Sequence, residues 1–420
     1  MEDDAGAPGA LQTISLPEDT ADIAIRGYAA PGMRRLAYWL AVVATAGGLY
    51  VLARWLPAVY IAIALRPARL AEADWVEVLV DGKHAALEPV SVSSWDSRLE
   101  SGFGGSKERP DSAIGSRCEA ELRAFSFRHR RFVFCAALGC YASTSQWRDP
   151  AWAAGATTGS AGLNEDGAAQ RALLFGGCVI DVSEKSYLRL LWDEALNPFY
   201  VFQVASIAVW CSEEYYYYSG VIFAISVLSI AVTVVTTKRT IRRIREMSAY
   251  VCSVGVLRAG QWHVVPSSGL VPGDIIDIAE LDGPALPCDA VLLEGDCIVD
   301  ESMLTGECIP ESKAPLARSA GVLGELDPAA HTFRPAISRH LVFAGTKLVR
   351  VRTAPTAFGP GAAIRARATA MVLRTGFCTT RGSLVRSILF PHATRFRFYR
   401  DALRFVWVLA GVAVVGLIVN

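Results

Sequence analysis

The sequence lacks the features that mark secreted, zinc-binding or nucleic-acid-binding proteins. Lys and Arg together number 41, as do Asp and Glu, so no net charge favours nucleic acid or an acidic partner. The ten cysteines are scattered, with no C-x-x-C pair and no His/Cys cluster at zinc spacing. This pattern predicts reduced cysteines facing the cytosol or the membrane, no disulfide framework and no metal site. The acidic N-terminus also lacks the basic start of a secretory signal, so membrane insertion would depend on internal helices.

Apolar residues, in contrast, are abundant in this chain. The sequence is 52% hydrophobic with a mean hydropathy of +0.31, which is too apolar for an ordinary soluble enzyme. Residues 1–30 are mixed and predict a cytosolic tail. Two apolar runs then lie within residues 31–66, interrupted at Arg54 and Pro57, and neither has the roughly 20 residues of a clean crossing. We predict a re-entrant or interfacial membrane hairpin, with one long helix kinked at Pro57 as the alternative.

The next part of the chain alternates between polar and apolar segments. Residues 67–152 predict an N-terminal cytosolic domain with a flexible loop, and residues 153–190 a linker and a helix leading to the membrane. Residues 191–236 predict the first pair of transmembrane helices, one at 197–211 extended back through Leu191 and one at 218–236. The acidic and tyrosine-rich turn between them favours the far side of the membrane, because tyrosine clusters prefer the headgroup region. The basic residues that follow the second helix indicate a cytoplasmic end.

Residues 237–395 have the patterning of a compact β-rich domain. Short Val/Ile/Leu runs are separated by Gly, Pro and Asp turns, among them Pro272-Gly273-Asp274. A third apolar run within residues 396–420 stops with the chain, short of a full crossing, so we expect a third transmembrane helix that is truncated.

Residues 300–310 (DESMLTGECIP) are the most informative stretch of this domain. Thr305-Gly306 predicts a tight exposed bend, because Gly tolerates backbone angles that other residues resist. The missing side chain also allows a large anion to approach the backbone. Glu307 at the tip could orient a water molecule and accept its proton. A bare T-G-E would instead indicate a charged surface turn between two strands.

The whole stretch resembles the dephosphorylation loop in the actuator domain of P-type ATPases. Other blocks are similar to the type-five family, and within it to the B branch associated with polyamine transport: residues 25–74, 196–204, 286–299, 372–377 and 384–401. The fold expected from this resemblance is a mixed membrane protein, with α-helical transmembrane segments and a β-rich cytosolic actuator domain.

The resemblance also implies a function. Glu307 would help water to hydrolyse an aspartyl-phosphate intermediate, with Thr305 and Gly306 positioning it. The full-length protein would use ATP and Mg²⁺, neither of them bound by the residues present, to transport a polyamine or another organic cation. A multi-pass protein of the late endosome, lysosome or vacuole is expected, and no substrate-binding residue is assigned.

Two departures from the family pattern leave alternatives open. Cys308 replaces the Ser that usually follows the loop's Glu, and Cys donates a weaker hydrogen bond. The chain also ends before the phosphorylated Asp of the D-K-T-G-T motif. The alternatives are a catalytically incomplete membrane-anchored fragment without ATPase activity, or an A-branch enzyme that removes transmembrane helices from the endoplasmic reticulum. By family analogy the hairpin would bind membrane lipid, in particular anionic phospholipid, through four cations: Arg34, Arg35, Arg54 and Arg66.

Overall fold

A computed structural model gives the fold for residues 9–14, 23–103, 119–153, 161–182, 184–248, 250–283, 285–316, 335–355 and 366–390. The predicted third transmembrane helix at 396–420 lies outside these described residues.

The first sheet contains part of the segment predicted to be a tail. Its strands are β1 (Gln12–Ile14), β2 (Ile23–Ala29), β3 (Arg66–Pro67), β4 (Trp75–Val80) and β5 (Lys83–Pro89). The antiparallel order is β1-β2-β4-β5, with β3 pairing to β2. β2 lies between two neighbouring strands, and its Ile23 and Ile25 are buried in a cluster with Val76 and Phe132. The prediction of a tail over residues 1–30 is therefore wrong for β1 and β2.

Three short helices form the amino-terminal hairpin: α1 (Gly32–Ala44), α2 (Gly48–Trp55) and α3 (Pro57–Ala64). The axes of α1 and α2 are bent by 118°. The chain reverses between them at Ala46 and Gly47, which both have positive φ angles. A 118° bend thus precedes Pro57, so the alternative of one long helix with its kink at that proline is wrong.

A second antiparallel sheet lies next along the chain. It is ordered β6 (Ser91–Asp96), β7 (Glu119–Phe127), β8 (Arg130–Cys135) and β9 (Cys140–Ser143). The basic and aromatic residues at positions 125–134 form the β7–β8 hairpin. Phe125 and Phe132 stack at 5.0 Å inside the core, because alternate side chains of paired strands share one face.

Five helices follow: α4 (Pro150–Ala153), α5 (Glu165–Phe175), α6 (Tyr187–Ala195), α7 (Pro198–Ser212) and α8 (Tyr216–Ser248). Within the described ranges α8 is the one helix long and apolar enough to cross a membrane, and there are up to three spans if each bent pair counts as one. α6 and α7 are bent by 71°, since Asn197 caps a new helix that begins at Pro198. The predicted extension of the first span back through Leu191 is interrupted by this bend, and α6 and α7 make a span together only as a broken one.

The remaining residues form the β-rich domain. Its strands and helices are β10 (Ser253–Arg258), β11 (Gln261–Pro266), β12 (Ile275–Asp277), β13 (Asp289–Glu294), β14 (Asp296–Asp300), α9 (Ser302–Thr305), β15 (Glu311–Lys313), α10 (Pro335–Ser338), β16 (Leu341–Val342), β17 (Lys347–Arg352), β18 (Ala354–Pro355), β19 (Ala366–Arg367), β20 (Thr369–Arg374) and α11 (Thr380–Leu389). One sheet has the order β11-β10-β12-β20-β13-β16, a second has β15-β14-β17, and β18 pairs with β19. Short 3₁₀ turns lie at Ser97–Phe103, Thr144–Gln146, Ser267–Gly269 and Gly376–Cys378.

The second sheet and the β-rich domain share one hydrophobic core. Trp147 and Trp152 belong to the same buried cluster as Ile275 and Val291. Arg171 of α5 ties the two parts together: its Nη1 donates to the Pro272 carbonyl at 2.7 Å, and its guanidinium lies over the Trp147 ring. The segments predicted as separate cytosolic domains therefore pack as one body at this junction.

Candidate active-site loop

The loop predicted to carry the chemistry connects β14 to β15. The two strands pair in antiparallel register, with Val299 opposite Glu311, so they hold both ends of the loop together. Hydrogen bonds from the Ser302 side chain and backbone lower the pKa of Asp300 at the end of β14. The loop is thus a short connection between two paired antiparallel strands.

A single helical turn, α9, orders the first half of the loop. The Glu301 carbonyl accepts hydrogen bonds from Leu304 N at 2.8 Å, Thr305 N at 3.0 Å and Thr305 Oγ1 at 3.2 Å. Gly306 ends the turn in the left-handed conformation, with φ 79°, and donates to the Ser302 carbonyl. This is the conformation that Gly adopts without strain, and it matches the tight bend predicted from Thr305-Gly306.

Glu307 follows this bend and lies exposed at the tip. Its backbone N–H donates to Thr305 Oγ1 at 3.2 Å. Among the residues that the structure describes, no side chain pairs with its carboxylate. Two apolar side chains beside it, Met303 and Ile309, are 70% and 77% exposed, and Cys308 is exposed as well. The tip therefore presents one available carboxylate with an apolar border.

The base of the loop contains a lysine that the motif did not indicate. Lys313 on β15 is fully buried, with Nζ 2.7 Å from Glu301 Oε1 and 2.9 Å from Glu311 Oε2. The only sequence signal is its position two residues after Glu311 on one strand, which places both side chains on the same face. That signal does not distinguish burial from exposure.

The four cations predicted to bind lipid have different surroundings. Arg54 at the end of α2 pairs with Asp193 of α6 at 2.7 Å. Arg34 Nη1 donates to the Leu65 carbonyl at 2.6 Å, next to Arg66, and Arg35 and Arg66 are exposed. Arg54 thus already has a carboxylate partner, whereas Arg34 is bonded to a backbone carbonyl.

Metal binding by this part of the chain has no support from side-chain grouping. Within the described ranges, no three His, Cys, Asp or Glu side chains are arranged to hold a metal ion.

Comparison with known proteins identifies the family. Family models match residues 251–389 as a P-type ATPase actuator domain and residues 19–135 as a P5-type ATPase cation transporter. The chain is 35% identical to the vacuolar cation-transporting ATPase YPK9 of Saccharomyces cerevisiae, over 97% of this chain and 28% of that protein. It is 32% identical to mouse polyamine-transporting ATPase 13A2 and 31% identical to the human protein of the same name, in both cases over 96% of this chain and 35% of the relative. The chain belongs to the P5-type ATPases.

The two family matches correspond to distinct parts of this P5-type chain. The actuator match covers β10 to α11 and includes the whole loop around Glu307. The other match covers β2 to β8, including the α1–α3 hairpin. The resemblance inferred from sequence motifs and the mixed membrane fold with a β-rich actuator domain are thus confirmed. The chain spans about a third of the length of these relatives, and the catalytic role of Glu307 stays a prediction.

Proposed function

We propose that this P5-type ATPase chain works within an ATP-driven transporter of polyamines or other organic cations, in which Glu307 promotes hydrolysis of an aspartyl-phosphate. The observation that carries the proposal is the carboxylate of Glu307, which has no side-chain partner among the described residues and is held at an exposed tip by an ordered turn. A carboxylate used only in a surface salt bridge would have a cationic partner nearby.

The geometry supports a general-base role. Glu307 would accept a proton from water as the water oxygen bonds to phosphorus and the bond to the aspartate oxygen breaks, which releases inorganic phosphate and an aspartate carboxylate. ATP would supply the phosphoryl group in the complete protein. Met303 and Ile309 would pack against the phosphorylated surface when the loop docks, and so exclude bulk water around the reacting group. Cys308 would position the loop less firmly than the usual Ser, because a thiol is a weaker donor.

The substrate and location follow from the relatives and not from any residue of this chain. Relatives named as polyamine-transporting ATPases support a polyamine substrate and the B branch. The vacuolar relative supports a vacuolar or lysosomal membrane, with the actuator domain in the cytosol. The basic end of α8, which includes Lys238 and Arg239, supports that orientation.

The test is phosphoenzyme turnover in a full-length protein that contains this chain. Glu307→Gln removes the base but keeps the side-chain shape, so the phosphoenzyme should form normally and decay about 100-fold more slowly or worse. Glu280→Gln, an exposed change elsewhere in the actuator domain, is the control. Normal decay in Glu307→Gln would refute the catalytic assignment. Spermine should accelerate decay in the wild type, and the absence of any effect would count against a polyamine substrate.

A further inference from the structure

A fully buried lysine beneath an exposed loop is the feature that the proposed mechanism does not use. Besides its two carboxylate partners, Lys313 Nζ donates to the Ser338 carbonyl at 3.3 Å and lies 5.6 Å from the centre of the Phe343 ring. None of its side-chain surface is exposed, whereas Glu301 keeps 7% and Glu311 55%. Glu301 is therefore the buried partner, and Glu311 is the solvated one.

Burial of this pair needs a reason beyond stability. Removing two charges from water costs several kcal/mol per ion, and apolar residues of similar volume often stabilise a core equally well. Lys313 lies opposite Cys297 of β14, which is buried. A Leu or Met at this position would pack in the same space without the desolvation cost.

The connectivity of the pair supplies that reason. Glu301 is the residue through which the chain enters the loop, and Lys313 lies on the strand by which it leaves. The same Glu301 carries, on its backbone carbonyl, the hydrogen bonds from Leu304 and Thr305 that form α9. Thr305 in turn accepts from the backbone of Glu307. A continuous path of contacts thus runs from the buried ammonium to the backbone of the catalytic candidate.

We propose that the Lys313–Glu301 ion pair is a positioning device that holds the Glu307 loop in the geometry required for dephosphorylation. The proposal rests on the function proposed above for Glu307. Lys313 does not touch the reacting atoms; it acts through Glu301 and α9. Loss of either charge should leave the β-sheets intact while the loop loses its anchor.

Hydrogen exchange of the present 420-residue chain, reconstituted in lipid nanodiscs, tests the anchor directly. Lys313→Met and Glu301→Gln should each accelerate exchange of the Leu304, Thr305 and Gly306 amides by about 10-fold or more. The matched control is Asp296→Asn, which removes the 3.7 Å pair with Arg352 in the same sheet, where both side chains are exposed. The control should change these amides less than about 2-fold. Unchanged loop exchange in Lys313→Met would overturn the proposal.

Phosphoenzyme kinetics in the full-length protein separate positioning from folding. Lys313→Met should slow decay by about 10- to 100-fold, as expected for a small misplacement of a catalytic group, and leave the rate of formation unchanged. Lys313→Arg, which keeps the charge, should recover part of the decay rate. Equal losses of formation and decay, or wild-type decay in Lys313→Met, would overturn the proposal.

The double variant Lys313→Met with Glu301→Gln gives the sharpest discrimination. It leaves no uncompensated buried charge, so its folding stability should exceed that of the single variants. Its phosphoenzyme decay should nevertheless stay slow, because the loop still lacks its anchor. Recovery of decay together with stability would show a purely structural role and overturn the proposal. If Glu307→Gln itself decays normally, the proposed function fails, whereas the exchange result still reports on the anchor separately.

Discussion

Asp289 offers a quantitative test of how the actuator domain is held together. Its buried carboxylate accepts hydrogen bonds from Ala344 N at 2.8 Å and from Thr380 N and Oγ1 at 2.8 and 3.0 Å, and it lies 3.0 Å from Arg374 Nη2. These contacts join β13 to the residues after β16, to the end of β20 and to the start of α11. Asp289→Ala removes all of them and leaves the guanidinium of Arg374, which is 4% exposed, without this carboxylate. Removing one partner of a buried pair costs about 3–5 kcal/mol.

The amides of Ala290 and Leu292 on β13 report this cost, because their exchange requires the sheet to open. A loss of about 3–5 kcal/mol corresponds to exchange faster by about 150- to 5,000-fold when opening is in rapid equilibrium. Asp296→Ala, at a carboxylate that is 46% exposed, should accelerate the same amides less than about 5-fold. A change below about 10-fold in Asp289→Ala would refute the view that its contacts act as a buried network.

Two further predictions concern backbone geometry and lipid. For the chain in nanodiscs, Gly162→Ala should give a thermal midpoint well below that of Gly139→Ala. Both glycines have positive φ angles. A Cβ at Gly162 would lie 2.1 Å from the Leu257 carbonyl oxygen, whereas a Cβ at Gly139 would meet open space. Equal midpoints would contradict this reasoning. Anionic phospholipid should raise the thermal midpoint of the wild type. Arg66→Ala should reduce this increase, whereas Arg54→Ala should not, because Arg54 is already paired with Asp193. Equal midpoints with and without anionic lipid would refute the lipid hypothesis.

The parts of the fold that the sequence predicts are those governed by local rules. A Gly after Thr305 and a strand-like run on each side suffice to predict the bend and its flanks, because turn chemistry acts over a few residues. The order of the strands does not follow in this way. β20 lies between β12 and β13 in the sheet although β13 precedes it by many residues, and such pairing depends on contacts between distant parts of the chain.

The same distinction between local rules and distant contacts explains why predictions for the residues near the membrane were wrong. Residues 23–29 are too short and too mixed to indicate a strand by themselves, and they become a central strand because β4 supplies a partner on one side and β1 on the other. The sequence alone predicts that Arg54 is a free cation at the end of the hairpin, because its carboxylate partner, Asp193, lies 139 positions further along the chain. Charge alone therefore does not distinguish a cation available to lipid from one already paired.

Within fifteen residues, the candidate site depends both on a local sequence motif and on contacts with distant parts of the chain. Its tip, Glu307, is indicated by a local motif, whereas its base, Lys313, is defined by burial against Ser338 and Phe343 from later parts of the chain. A loop that exposes its carboxylate to solvent gains little packing of its own, so the interactions that order it must come from its base. A substitution at Lys313 should consequently slow turnover, by about 10- to 100-fold, even though Lys313 itself never reaches the reacting phosphate.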